Sequence, residues 1–364
     1  MKTYGALEKS QIEHAFAAGQ QVRAVEPMGN GHINTTWLVT FASGERCILQ
    51  SVNTRVFQNV DDLMENIVRV TSFLRERLRE EGGDEKRGTL TVIPTLDGRP
   101  YWTDADGQVW RLYRNVEHTV TFERADSPQM MYQCGLAIGR FQALLADFPA
   151  QSLYETIPDF HNTPKRYQDF ENAVSRDSYG RAASVEKEIA FVRARRPELS
   201  VFTDLRDQGK LPLRVTHNDT KIGNLLFDDT THEAVCLCDL DTVMPGFAPF
   251  DFGDAIRSGA TAASEDEKDC ARVFLALPRY RACLKGFLEG VGGRLTETEI
   301  RLLPMGAKLM TFECGMRFLA DYLEGDVYFK TERGGGRIST AAGRSLHWWQ
   351  IWRESGRTCR RQRA

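Results

Sequence analysis

Residues 216–254 read THNDTKIGNLLFDDTTHEAVCLCDLDTVMPGFAPFDFGD. The part from His217 to Asn224 is too polar, and too broken by Gly223, to be a core helix, so it reads as a loop. An apolar run follows at Leu225-Leu226-Phe227, then a turn cluster from Asp228 to Glu233, then a second apolar run at Ala234-Val235-Cys236-Leu237-Cys238. Two short apolar runs around a polar turn predict a β-hairpin. Asp219 and Asn224 precede its first strand, and Asp239 and Asp241 end its second. Antiparallel pairing is therefore expected to bring all four to one edge.

These parts suit phosphoryl transfer. A base, Asp219, would take the proton of an acceptor hydroxyl, while Asn224 and Asp239 offer hard oxygen donors for a magnesium ion on the phosphates. An Asp-x4-Asn spacing followed by a metal-binding Asp on the next hairpin is that of protein-kinase catalytic loops. Asp251-Phe252-Gly253 spells the kinase metal motif, yet it lies 27 residues past Asn224 and beyond a loop holding Pro and Gly, whereas Asp239 lies 15 past. We assign the metal to Asp239. Asp251 is expected to begin a helix, where a carboxylate can bond free backbone N–H groups. A lone His-x-Asp is usually a turn or cap; joined to Asn224 and Asp239 on one hairpin it carries more weight.

On these residues the chain resembles the aminoglycoside phosphotransferase family, small-molecule kinases with a protein-kinase-like fold. Within that family it is most similar to the N-acetylhexosamine 1-kinases. The closer match rests on Gly29-Asn30-Gly31-His32-Ile33-Asn34, on His217-Asn218-Asp219-Thr220-Lys221, on Asp239-Leu240-Asp241-Thr242-Val243-Met244-Pro245-Gly246 and on residues 317–331. The resemblance implies an α+β bilobal fold, with a small β-rich N-lobe over 1–116 and a larger, mainly helical C-lobe over 117–332. ATP and magnesium are the implied cofactors. The implied reaction is phosphorylation of the anomeric hydroxyl of an N-acetylhexosamine, giving the sugar 1-phosphate. His32, Arg317 and Tyr328 would contact the sugar, together with Asp239. Lys221 would either bond the sugar or neutralise the transferring phosphoryl group; a plain exposed loop lysine is the competing reading. Two rivals are a kinase of another small alcohol, of choline or aminoglycoside type, and a non-catalytic pseudokinase.

The whole chain is compatible with this. Its 364 residues can bury a full core, and a net charge of -3 with 41% hydrophobic residues suggests neither a nucleic-acid surface nor a disordered chain. The opening residues lack the unbroken apolar run of a signal peptide, and no stretch reads as a membrane span, so cytoplasm is the expected compartment and no protein partner is implied. Of the eight cysteines only Cys236 and Cys238 lie close together, without the second pair a zinc site would need. Strand alternation would turn both to one face as small core side chains.

In the first hundred residues a short helix is expected at 11–19, two strands within 22–39 and a third at 46–50. Gly29, Asn30 and Gly31 form a turn whose glycines let the backbone approach a phosphate, although Asn-Gly is also the commonest hairpin turn. The third strand carries Gln50 where kinases place a lysine on the nucleotide phosphates; an amide can bond a phosphate oxygen but supplies no charge. Residues 61–81 predict an amphipathic helix with Leu63, Ile67, Val70, Leu74 and Leu78 on one stripe. Glu65 is its candidate partner for the missing lysine, and without that lysine it reads as a solvated glutamate. Strands follow at 89–93, near 100–102 and at 109–113. Residues 115–121 would be the hinge, where backbone groups such as those of Val116 pair with adenine.

Helices dominate from Ser127 onward: 130–145, a charged and solvated helix at 186–195, and 302–323 with Phe312, Met316, Leu319 and Leu323 turned to a core. Arg317 lies off that stripe, four residues from both Glu313 and Asp321, where a surface ion-pair ladder would explain it. The segment 155–163 also resembles the hexosamine kinases, with no role that its chemistry suggests. Residues 333–364 change character, with eight Arg, no Lys, one acidic residue and three of the six Trp. In a shifted frame, suitable codons for 337–353 give HLDRCRTQFALVADME, an amphipathic helix similar to the end of hexosamine kinases. A run of G in the codons of Gly334-Gly335-Gly336 is a place where frames slip, and we expect this tail to be a frameshift product.

Overall fold

The computed structural model describes residues 7–16, 20–29, 33–261 and 275–327. The expected tail, and residues 17–19 of the helix expected at 11–19, therefore fall outside the described residues. Contacts divide the chain into two units, residues 1–119 with Cys238–Val243, and Val120–Leu237 with Met244 onward.

The first unit is built on an antiparallel sheet. After α1 (Lys9–Ala15), strands β1 (Val22–Pro27), β2 (Thr35–Phe41) and β3 (Arg46–Val52) pair in order. Then come α2 (Val60–Glu80), β4 (Val92–Ile93), β5 (Trp102–Thr103) and β6 (Val109–Arg114); β6 pairs with β3, β4 and β5. Alternation drives the burial: Trp37, Val39 and Phe41 of β2 and Cys47 and Leu49 of β3 turn to one core with Trp110 and Leu112. Helix α2 starts where Asn59 accepts a hydrogen bond from the Asp62 N–H, and its predicted stripe Leu63, Ile67, Val70, Leu74 and Leu78 is buried throughout. Of the strand expected at 89–93 only the last two residues pair.

The chain crosses at β7 (Thr119–Val120) into a mainly helical unit. Its helices are α3 (Pro128–Leu144), α4 (Thr163–Arg176), α5 (Glu186–Arg193) and α6 (Val201–Asp207), followed by the short strand β8 (Arg214–Thr216). The predicted hairpin is β9 (Leu225–Asp228) paired antiparallel with β10 (Ala234–Leu237). Next are β11 (Met244–Gly246), paired with β8, and helices α7 (Ala248–Gly259), α8 (Leu277–Val291) and α9 (Glu297–Leu323).

Three expectations need correction. The charged helix α5 is not only a solvated face, because Ile189 and Val192 are buried in the helical core. Helix α9 begins at Glu297 rather than 302, initiated by a capping box in which Thr296 and Glu299 each satisfy the other's free N–H. Cys238 lies past the end of β10, so it does not alternate with Cys236 within a strand. Among the described residues, no helix is long and apolar enough to cross a membrane.

Candidate active site

In the helical unit, β8 delivers the chain to the loop 217–224. Its register is fixed at both ends. Arg214 forms a two-bond ion pair with buried Glu299, at 2.9 Å for each bond, and Thr216 donates from its hydroxyl to the Met244 carbonyl at 3.0 Å. Gly246 faces Thr216 so closely that a Cβ there would stand 2.2 Å from the threonine hydroxyl.

The loop then turns through Asn218, whose φ of 64° is left-handed and strained for a non-glycine residue. Asp251 holds this turn. Its fully buried carboxylate accepts from the His217 N–H at 3.0 Å, the Asn218 N–H at 2.8 Å and the Gln142 amide at 2.6 Å. Burial pushes the Asp251 carboxyl up from its ordinary range, against the pull of His217 and these donors. Asp251 does bond free backbone N–H groups, as expected, but those of the loop rather than its own helix, and α7 begins three residues earlier at Ala248.

The rest of the kinase-like triplet also has a packing reason. Phe252 is fully buried against the rings of Tyr280 and Phe287 of α8. Gly253 lets α7 meet α9, since a Cβ there would stand 2.5 Å from the Gly306 carbonyl.

Three predicted residues meet in this loop. The Asp219 carboxylate receives the Lys221 ammonium at 2.9 Å and the Asn224 amide nitrogen at 2.8 Å, both on Oδ2. Asn224 also donates to the Asp219 carbonyl at 2.8 Å. Both Asp219 bonds fall on one oxygen, Oδ2. Both Asn224 bonds use its nitrogen, which leaves its oxygen as a hard donor. Burial alone would raise the Asp219 carboxyl, but Lys221, His217 and Arg257 outweigh it and hold it below the ordinary carboxylate range. Asp219 is therefore ionised at neutral pH.

Arg317 of α9 is half-buried, with its guanidinium 5.4 Å from the centre of the Phe160 ring. Of the two acidic residues four positions away, Glu313 is buried and pairs with His161, and Asp321 accepts from the Val327 N–H. A cavity of about 170 Å³ beside Asn218 is lined by Glu155, Asp159, Phe160, His161, Phe247 and Phe250, among others.

In the sheet unit, Gln50 of β3 stands opposite Arg111 of β6. Its oxygen accepts from Arg111 at 2.8 and 3.0 Å, and its nitrogen donates to the Thr36 hydroxyl at 3.2 Å. Arg111 is 1% exposed and pairs with Asp241 at 2.5 Å. The charge absent from Gln50 is thus present one strand over. Sequence reasoning missed it because strand register, not spacing, makes the two neighbours.

Asn34 donates to Asp241 at 2.6 Å and Asn66 to the Val243 carbonyl at 3.0 Å, so three side chains fix the segment that carries Asp239. Asp239 itself has a left-handed φ of 60°. Glu65 is exposed and pairs with Arg69 at 3.4 Å, as expected of a solvated glutamate. Gly29 has a φ of 68°, and Val116 is buried, with its carbonyl accepting from the Thr119 hydroxyl at 2.7 Å. Asn30, Gly31, His32 and Tyr328 lie outside the described residues.

The chain belongs to the phosphotransferase enzyme family, whose model matches residues 24–283. Solved structures share the fold over nearly the whole length. An aminoglycoside phosphotransferase from Alicyclobacillus acidocaldarius is 12% identical, with a TM-score of 0.60 and 97% of each chain covered. A microcompartment-associated aminopropanol kinase is 16% identical, with a TM-score of 0.58 over 95% of this chain and 97% of that one. The amicoumacin kinase hAmiN, solved with AMP-PNP, Ca2+ and Ami, is 14% identical, with a TM-score of 0.59 over 95% of this chain and 92% of that one. The fold is therefore that of small-molecule kinases, α+β with an antiparallel sheet in the N-terminal part and helices in the C-terminal part.

Proposed function

We propose that this chain is an ATP-dependent kinase that phosphorylates the anomeric hydroxyl of an N-acetylhexosamine. The observation that carries the reading is Asp219: ionised, tied on one oxygen by Lys221 and Asn224, and set on a loop that Asp251 clamps from behind. A carboxylate so held can orient an acceptor hydroxyl and take its proton as the phosphoryl group arrives. Lys221, already in contact with that carboxylate, would offset negative charge on the transferring group or bond the sugar. The sugar assignment rests on the motif resemblance, with Arg317 and Asp239 as described members of the set that also includes His32 and Tyr328.

Magnesium is assigned to Asn224 and Asp239. No group of three His, Cys, Asp or Glu side chains able to hold a metal occurs among the described residues. A set of one amide oxygen and one carboxylate nevertheless suits an ion that takes its other ligands from phosphates and water. When bound, magnesium would neutralise charge on the triphosphate. For the nucleotide we assign Gly29, Asn30, Gly31, Gln50 and the backbone at Val116.

One observation favours a second reading. Glu155 and Asp159 line the cavity beside Asn218 together with three phenylalanines, surroundings that also suit an alcohol bearing an ammonium group. Nucleotide consumption with N-acetylhexosamines and amino alcohols side by side separates the two, with Asp219→Ala as control. Turnover only with amino alcohols overturns the sugar assignment. Tight nucleotide binding without turnover on any acceptor makes the chain a pseudokinase.

A further inference from the structure

The segment 155–163 had no role in the sequence, and in the structure it ends at the active loop. His161 lies between two acceptors. Its Nε2 is 3.0 Å from the carbonyl oxygen of Asn218, the residue before Asp219, and its Nδ1 is 2.6 Å from Glu313 Oε1. A carbonyl only accepts, so Nε2 carries a hydrogen. The other Glu313 oxygen accepts from the Thr163 hydroxyl at 2.8 Å, and Arg317 stands one turn along the same helix, surroundings that keep Glu313 a carboxylate and Nδ1 protonated too.

We propose that His161 is a buried imidazolium, oriented by Glu313, that positions the Asp219 loop by donating to the Asn218 carbonyl. The inference deepens the kinase reading and rests on it for the role of Asp219. Asn218 is then held on both sides of its strained backbone, its N–H by Asp251 and its C=O by His161. With its N–H held by Asp251 of α7 and its C=O by His161, itself held by Glu313 of α9, Asn218 is kept in the left-handed turn. The direction of the Asp219 carboxylate follows from that of the peptide. Burial works against the charge on His161, and Glu313 and the Asn218 carbonyl outweigh it and raise its pKa above the ordinary histidine value. The charged groups around the imidazole are Glu313 and Arg317 of α9, Asp251 of α7 across the clamped peptide, Asp219 on the loop, and Glu155, Asp159 and Arg206 at the adjoining cavity.

Two measurements test this. The first needs no activity: nitrogen NMR of protein labelled at its seven histidines, with His161→Gln to assign the signal. Both His161 ring nitrogens should carry protons at pH 7, and in Glu313→Gln the signal should turn neutral. A bare Nδ1 in the wild type overturns the imidazolium. The second is kinetic, normalised to folded protein. His161→Ala should lower kcat about tenfold to a hundredfold while leaving the KM values within about twofold, since a small misplacement of a reacting group is enough to do so. His161→Gln, which keeps a donor, should recover part of it. In Glu313→Gln the loss of kcat at high pH should begin at lower pH than in the wild type. A folded His161→Ala enzyme with wild-type kcat overturns the positioning role. A wild type that turns over no acceptor sinks the kinase reading instead, and the nitrogen signals still decide the state of His161.

Discussion

Asp219 is where the physical demands are sharpest at the scale of single residues. Its neighbour Asn224 was legible in the Asp-x4-Asn spacing, because a short loop can return side chains a few positions apart to one carboxylate; the Lys221 contact was not, since the sequence offered Lys221 to the sugar, to the phosphoryl group or to solvent. Asp251 was legible as a residue to explain but not as a loop clamp, since its partners lie more than 30 residues earlier. Asp219→Asn should keep the bond from Lys221 but remove the proposed base, so kcat should fall by about 10²–10⁴-fold while the melting temperature holds; a variant that stays fully active would remove Asp219 from the chemistry.

The buried pair of His161 and Glu313 predicts a pH window. His161 has a raised pKa, so its contribution to stability is complete below its ordinary value of 6.5 and is lost as pH rises through the raised one. Glu313 has a lowered pKa, so its contribution is complete above its ordinary value of 4.5 and is lost as pH falls through the lowered one. The pair thus contributes most between 4.5 and 6.5. Urea unfolding should find His161→Ala less stable than wild type by about 3 kcal/mol in that window, because an unpaired carboxylate is left inside, with a smaller gap by pH 9.

Elements were legible where period and burial agree. Helix α2 shows this: every residue of its apolar stripe is buried, with Met64, Asn66 and Thr71 buried beside it. Helix α9 was partly hidden, although Thr296 and Glu299 spelled its start, because Pro304 sits inside the helix and Gly306 follows it. Glycine in a helix ordinarily reads as a weak point. Here it marks where backbones touch: a Cβ on Gly135 of α3 would stand 2.1 Å from the Cys283 carbonyl of α8, and one on Gly286 would stand 2.1 Å from the Tyr132 carbonyl. Two effects therefore compete in Gly135→Ala. Helix propensity favours alanine by about 1 kcal/mol. Overpacking costs about 1–3 kcal/mol, and more where rigid backbone must give way. We expect packing to win, with a fall in melting temperature of about 3–6 °C by calorimetry. An unchanged or higher value would mean that α3 and α8 separate freely.

For the molecule as a whole, the change from strands to helices near residue 120 could be read from the order of apolar runs, whereas the α+β bilobal class came from the family resemblance. What could not be read is that Cys238–Val243, directly after the β9–β10 hairpin, belongs with the sheet unit. No periodicity encodes this. It depends on Asn34, Asn66 and Arg111, which are distant in sequence and were unremarkable as residue types. Arg111 and Asp241 are 1% and 4% exposed in their side chains, so neither charge can fall back on water if the other is removed. Asp241→Ala should therefore destabilise the sheet unit by about 3–5 kcal/mol. The double variant Arg111→Met with Asp241→Leu should recover most of that loss, since two apolar side chains of similar size replace a pair that cost desolvation to bury. Hydrogen exchange resolved by peptide can follow this in β3 and β6, the strands that carry Gln50 and Arg111. Faster exchange there in the single variant, and near wild-type exchange in the double, is the expected pattern. Equal exchange in wild type and Asp241→Ala would mean that the segment is held by its backbone alone and that the buried pair contributes nothing to where it sits.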